Sequence, residues 1–183
     1  MSLTNITGGQ MEERVVLVDK EDNEIGTEEK LKAHLEKKLH RAVSILIFNI
    51  KGEMLLQQRS VFKYHCPLLW SNACCTHPRQ GEPVVEAAHR RLKEEMGFDC
   101  DLEEVESFIY EADLGDGLYE YEYDHLFIGS YDSDFNINFD EVESFRWVSL
   151  DDLTQEVGNY PSKFTEWFKI ILKKYASKQV DLG

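Results

Sequence analysis

The chain has 183 residues, enough for one domain with a self-sufficient core, and 42% of it is hydrophobic, which excludes wholesale disorder. Its 35 Asp and Glu against 20 Lys and Arg give a net charge of −15, a balance that repels phosphate backbones and argues against general nucleic-acid binding. An anionic small molecule fits such a chain only where Lys, Arg or a metal ion is gathered locally.

Residues 1–10, MSLTNITGGQ, read as a loose polar segment. They have neither the basic flank nor the apolar stretch of a secretory signal, so a cytoplasmic location is expected. Residues 14–19, RVVLVD, read as a strand, and Asp22-Asn23 as a turn. Residues 42–50, AVSILIFNI, read as a buried strand; this longest apolar run is too short to span a bilayer, which needs about 20 residues. Lys51-Gly52 then turns the chain into a strand ending near Arg59, and residues 60–81 read as irregular. Pro83 suits a helix start and Gly97 a helix end. Between them Val85, Ala88, Leu92 and Met96 follow helical spacing, with Arg90, Arg91, Glu94 and Glu95 opposite. Strands over 106–112 and 118–130 flank the turn signal Gly115-Asp116-Gly117. A strand over 142–149 leads to a helix start at Ser149, and the last helix is expected from about Ser162 to Lys178. Strands, a helix, strands and helices in this order predict an α+β fold.

Four cysteines in a chain of this kind are expected to be reduced, and the adjacent Cys74-Cys75 pair suits neither a zinc knuckle nor a redox pair. In WSNACCTHP, residues 70–78, a cysteine in a loop ahead of His77 is either structural or a proton donor or nucleophile. Strand periodicity puts Glu120, Glu122 and Asp124 on one face and Tyr121 and Tyr123 on the other. Three carboxylates on one face repel unless water or a cation separates them, so this is either a solvated face or a metal site using Glu120 and Glu122. His34 and His40 are six residues apart and cannot share a helix face, so the chain must bend between them if both bind one ion. Three histidines with two glutamates would make a five-ligand site for a divalent ion. Trp167 sits on the apolar stripe of the last helix, where it either packs in the core or presents a π face able to stabilise a cation by about 2 kcal/mol when water is excluded.

From Thr76 the spacing runs five residues to Glu82, seven more to Arg90, then Arg91-Leu92-Lys93-Glu94-Glu95-Met96-Gly97-Phe98. This resembles the Nudix box G-x5-E-x7-R-E-U-x-E-E-x-G-U, with Thr76 for the first glycine and Arg91 for the glutamate after arginine. Together with N-x-C-C-x-H-P at 72–78 and Glu120-x-Glu122, the chain from about 14 to 175 resembles the type I isopentenyl-diphosphate Δ-isomerases, Nudix-fold enzymes that do not hydrolyse their diphosphate substrate.

The resemblance implies a Nudix-like α/β/α sandwich of a mixed sheet with flanking helices, as a single domain over 11–183. It implies metal ligands His34, His40, His77, Glu120 and Glu122, with Glu95 helping to hold Mg²⁺ on the diphosphate. Cys75 and Glu122 correspond to the proton donor and acceptor, Tyr110 to the tyrosine bonded to the catalytic carboxylate, and Trp167 to the aromatic over the cationic carbon. Lys30, Arg59, Lys63 and Arg91 correspond to diphosphate-binding cations. The expected cofactors are Mg²⁺ with the substrate and a second divalent ion, Mn²⁺, Zn²⁺ or Mg²⁺, in the His/Glu site. The expected partner is a small diphosphate, with no nucleic acid and no membrane, and the expected state a monomer or weak homodimer. The competing readings are a Nudix hydrolase of a nucleoside diphosphate derivative, using Glu82, Glu94 and Glu95, and a non-catalytic binding member of the fold.

Overall fold

A computed structural model of the chain describes residues 13–63 and 65–181. The loose segment expected over residues 1–10 lies outside the described residues. The elements run β1 (Arg14–Val18), β2 (Glu24–Glu29), α1 (Lys30–Leu35), β3 (His40–Phe48), β4 (Met54–Arg59), β5 (Trp70–Asn72), β6 (Cys74–Thr76), α2 (Val84–Met96), β7 (Leu102–Gly115), β8 (Leu118–Ser130), β9 (Val142–Val148), α3 (Leu150–Asn159) and α4 (Glu166–Asp181). Among the described residues no helix is long and apolar enough to cross a membrane.

β3 is the hub of a mixed sheet. It pairs parallel with β8 from His40 opposite Glu122 to Phe48 opposite Ser130. It pairs antiparallel with β6, Ser44 opposite Cys75. β7 and β8 form a long hairpin, and β4 carries β5 on one side and β9 on the other. Alternation along β3 divides two apolar layers. Val43, Ile45 and Ile47 join Leu92, Met96 and Phe98 under α2, while Leu46 joins Leu153, Phe164, Phe168 and Ile171 under α3 and α4. The result is the α/β/α sandwich of a mixed sheet that the family resemblance implies.

Local rules place the helices. Glu29 caps α1 by accepting from the backbone N–H groups of Leu31 and Lys32, each at 2.9 Å. Ser149 caps α3, its Oγ accepting from the Asp152 N–H at 3.2 Å. Gly97 ends α2 in the left-handed region at φ 75°, and a Cβ there would stand 2.0 Å from the Asn136 carbonyl oxygen, so glycine is required twice over.

Several expectations need correction. Residues 60–81 are not wholly irregular: β5 and β6 lie within them. Each is three residues long, too short for a periodic pattern, and exists through pairing with β4 and β3. β2 and α1 were not expected. On α2 Val85 is exposed, Ala87 is buried in its stead, and Glu95 belongs to the buried side. The last helix begins at Glu166 because Pro161–Lys163 form a 3₁₀ turn, and it reaches Asp181.

Candidate active site

β8 sets the site. Its Glu120, Glu122 and Asp124 share one face, as expected, but that face is buried beneath α1 and the cavity wall rather than solvated: they are 4%, 6% and 0% exposed. Tyr110 of β7 stands in register with Glu122, and its phenol donates to Glu122 Oε2 at 2.5 Å. His40 opens β3 opposite Glu122. His34 lies on α1, and the chain turns through Lys37 at φ 51° before reaching His40, the bend that a six-residue spacing demands.

His34, His40, His77, Glu120 and Glu122 each present a ligand atom within 4.8 Å of the others. His34 Nδ1 lies 2.6 Å from the Lys30 carbonyl oxygen and His40 Nδ1 lies 2.8 Å from that of Lys38. A carbonyl only accepts, so each Nδ1 carries the proton and each Nε2 faces inward as a lone pair. Those two Nε2 atoms and Glu120 Oε2 are buried with no hydrogen-bond partner among the described residues. Nε2 of His34 is nevertheless 3.0 Å from Glu120 Oε2, and Nε2 of His77 is 2.9 Å from Glu122 Oε1. The inward lone pairs of His34 and His40 beside two carboxylates suit a divalent cation, and oriented imidazoles are what such an ion requires. The five residues therefore form a group able to hold a metal ion. Burial pulls the His34 imidazole down, but the adjoining Glu120 carboxylate outweighs it and the net shift is upward. Burial, with Lys30 nearby, drives His77 well below the ordinary range.

A cavity of about 870 Å³ opens beside this group. Its lining includes Cys75, His77, Tyr110, Glu120, Glu122 and Trp167. Lys30, Arg59, Lys63, Arg91 and Glu95 line it as well, while His34 and His40 are fully buried and are not part of the lining. The strand period distinguishes the adjacent thiols. Cys74 faces α2 within that core, and Cys75 faces the cavity. Cys75 Sγ lies 3.2 Å from Asn72 Oδ1 and 3.5 Å from Ser44 Oγ. Burial, reinforced by the Asp124 charge, raises the Cys75 thiol, which stays protonated. Burial alone would raise Glu122, but the neighbouring His40 imidazole and the hydrogen bond from Tyr110 reverse it, so this carboxyl lies below its usual value. Trp167 is buried, its Nε1–H donating to Ser71 Oγ at 3.0 Å, yet its ring borders the cavity; the packing and cavity-facing roles coexist.

The expected cations are all engaged. Arg59 donates to the carbonyls of Cys66 and His65, each at 3.2 Å, and lies 5.1 Å over the Trp167 ring. Lys30 pairs with Glu13 at 3.0 Å. Arg91 pairs with Glu94 at 2.8 Å and with Glu95, whose other oxygen accepts from Gln57 Nε2 at 2.7 Å. Glu82, a hydrolase candidate, is bound by Arg90 at 2.6 and 2.9 Å and does not line the cavity.

Sequence reasoning missed Glu141, His65 and the buried partners of Cys75. Glu141 lies fifty residues beyond Arg91, with no local pattern to mark it. His65, pushed down to about 3 by burial and then by Arg59, packs edge-on to Trp167 at 5.7 Å.

Comparison with known proteins places these features among relatives. The NUDIX domain family model matches residues 38–168. The isopentenyl-diphosphate Delta-isomerase 2 of Photorhabdus laumondii subsp. laumondii is 51% identical over 171 residues, 93% of this chain and 97% of the relative. The isopentenyl-diphosphate Delta-isomerase of Serratia proteamaculans is 44% identical over 171 residues, 93% and 96% of the two chains. A crystal structure from Deinococcus radiodurans superposes with a TM-score of 0.74 at 17% identity, covering 88% of this chain and 98% of that one. A MutT protein from Methanosarcina mazei gives 0.63 at 20% identity, covering 77% and 95%.

Proposed function

Because the chain belongs to the isopentenyl-diphosphate Δ-isomerase family within the Nudix superfamily, we propose the following course for its interconversion of isopentenyl and dimethylallyl diphosphate. The Cys75 thiol gives its proton to the terminal alkene carbon. A tertiary carbocation forms beneath the Trp167 ring. Glu122 removes a proton from the carbon on the diphosphate side, and the double bond closes there. The enzyme is left with a thiolate and a carboxylic acid, and the reverse reaction exchanges their roles.

One observation carries this reading: a single cavity gathers a thiol held protonated, a carboxylate held ionised, an aromatic face and a set of cations. An unactivated alkene needs a strong proton donor and a base, while its cation needs a dry, π-lined wall. Tyr110 orients Glu122 and keeps it ionised. Lys30, Arg59, Lys63 and Arg91 hold the diphosphate, which an acidic protein retains only through such a cluster. Mg²⁺ at Glu95 would neutralise diphosphate charge, and Mn²⁺, Zn²⁺ or Mg²⁺ held by His34, His40, His77, Glu120 and Glu122 would fix and tune that carboxylate. Arg91 in the box and a thiol in the cavity disfavour hydrolysis of a nucleoside diphosphate derivative.

Proton NMR of the protein with isopentenyl diphosphate and Mg²⁺ in D₂O tests the reading. Dimethylallyl diphosphate carrying deuterium in a methyl group, with no free phosphate, is the expected result. Release of phosphate, or turnover without exchange from solvent, would overturn it.

A further inference from the structure

Two of the four expected diphosphate cations are occupied by one side chain outside the Nudix helix. Glu141 Oε2 pairs with Lys63 Nζ, and Arg91 donates to the same oxygen at 3.1 Å. Glu95 Oε1 completes an alternating ring, pairing with Arg91 and lying 3.5 Å from Lys63. Glu95 is buried and further bound by Gln57, so its place is fixed. Among the described residues, Glu141 has no such second anchor for its carboxylate.

Its backbone, however, is held firmly. The Ser60 N–H donates to the Glu141 carbonyl at 3.1 Å, tying it to the loop that carries Lys63. The Asn138 N–H donates to the Glu95 carbonyl at 2.9 Å, and the Val142 N–H to the Asn138 carbonyl at 2.8 Å, tying it to the end of α2. Three chain segments thus converge to present this carboxylate to two cations. The side chain is 28% exposed, against 66% for Glu13 on Lys30. The less solvated pair is the stronger one, since screening leaves little of an exposed contact.

We propose that Glu141 is a built-in competitor at the diphosphate subsite that sets its affinity threshold: its carboxylate competes for Lys63 and Arg91, and every entering anion must displace it. This rests on the reading that those two cations hold the diphosphate. Displacement lowers the apparent affinity of all anions by one common factor, the fraction of molecules in which the cations are free. A diphosphate has charge and oxygens enough to bind despite it. Inorganic phosphate and phosphate monoesters, which make fewer contacts, fall below useful occupancy. Isomerisation leaves the diphosphate unchanged, so substrate and product meet the same competitor, the equilibrium is untouched, and the returning carboxylate helps expel the product.

Calorimetric titration with inorganic pyrophosphate and with inorganic phosphate tests this on the wild type, Glu141→Gln, Glu141→Ala and Lys63→Gln. Both Glu141 variants are expected to bind each anion about five- to tenfold tighter, by the same factor for both, and Lys63→Gln to bind both more weakly. A tightened affinity is not produced by a damaged fold, and matching melting temperatures would check this directly. If the Glu141 variants bind equally or more weakly while Lys63→Gln still weakens binding, the competition is refuted and the subsite stands. Unchanged pyrophosphate binding by Lys63→Gln would instead overturn the subsite reading, and the inference with it.

Discussion

Replacing each of the two adjacent cysteines by alanine separates chemistry from packing. In Cys75→Ala one sulfur is lost, with its contacts to Asn72 and Ser44. Asn72 Oδ1 keeps the Ser71 hydroxyl as a donor at 3.1 Å, so no buried acceptor is orphaned. The stability cost is therefore that of one buried heavy atom, about 1 kcal/mol. Turnover should fall about 10²- to 10⁴-fold, roughly 3–5 kcal/mol in barrier, because a proton-transfer group is gone. Cys74→Ala should do the reverse. Its sulfur is buried beneath α2 and lies 3.3 Å from Glu95 Oε2, which retains Gln57 at 2.7 Å. A small void there costs about 1–2 kcal/mol of stability, with turnover within about threefold of wild type. Proton NMR of isopentenyl diphosphate conversion reads the first quantity and urea denaturation the second. Near-wild-type turnover by Cys75→Ala, or abolished turnover by a well-folded Cys74→Ala, would refute the facing argument on which the assignment depends.

Glu122→Gln should remove most of kcat, about 10²-fold or more by the same NMR assay, since an amide cannot take the proton that the proposed course assigns to this carboxylate. Trp167→Phe should lose less turnover than Trp167→Ala, the difference being up to about 2 kcal/mol of cation–π stabilisation; both lose the bond to Ser71, so equal losses would indicate packing alone. His40→Ala should lower divalent-ion content, measured by plasma mass spectrometry after dialysis, and should weaken ion affinity at least tenfold because one of the five clustered side chains able to hold the ion is removed. Gly97→Ala should destabilise the fold by at least about 2 kcal/mol in urea denaturation, because it meets both a left-handed φ and the Asn136 carbonyl.

The parts of the site legible in the sequence are those governed by short-range periodicity. The alternation of Glu120, Glu122 and Asp124 fixes their common face, and the six-residue gap between His34 and His40 requires the turn found at Lys37. Capping by Ser149 and Gly97 likewise follows from neighbouring residues. What stayed hidden depends on distant partners. β5 and β6 are strands only because β4 and β3 lie beside them. Whether the acidic face of β8 meets water or a histidine cluster is decided by α1, an element of six residues whose ends carry the only local cues. Glu141 reaches Arg91 through the docking of a loop on the end of α2, a contact that no pattern around residue 141 encodes.

The hairpin of β7 and β8 also sets how this chain can vary in length. A residue inserted at Gly115-Asp116-Gly117 would enlarge an exposed turn and leave both strands in place. The same insertion between Glu122 and Asp124 would throw the strand one step out of phase with β3 on one side of the lesion. A tyrosine would then occupy an inward position that a carboxylate holds now, and residues beyond would turn to the opposite face of the sheet. Length changes in this hairpin are therefore tolerated at its tip and not beside the site, although tip and site belong to the same ribbon.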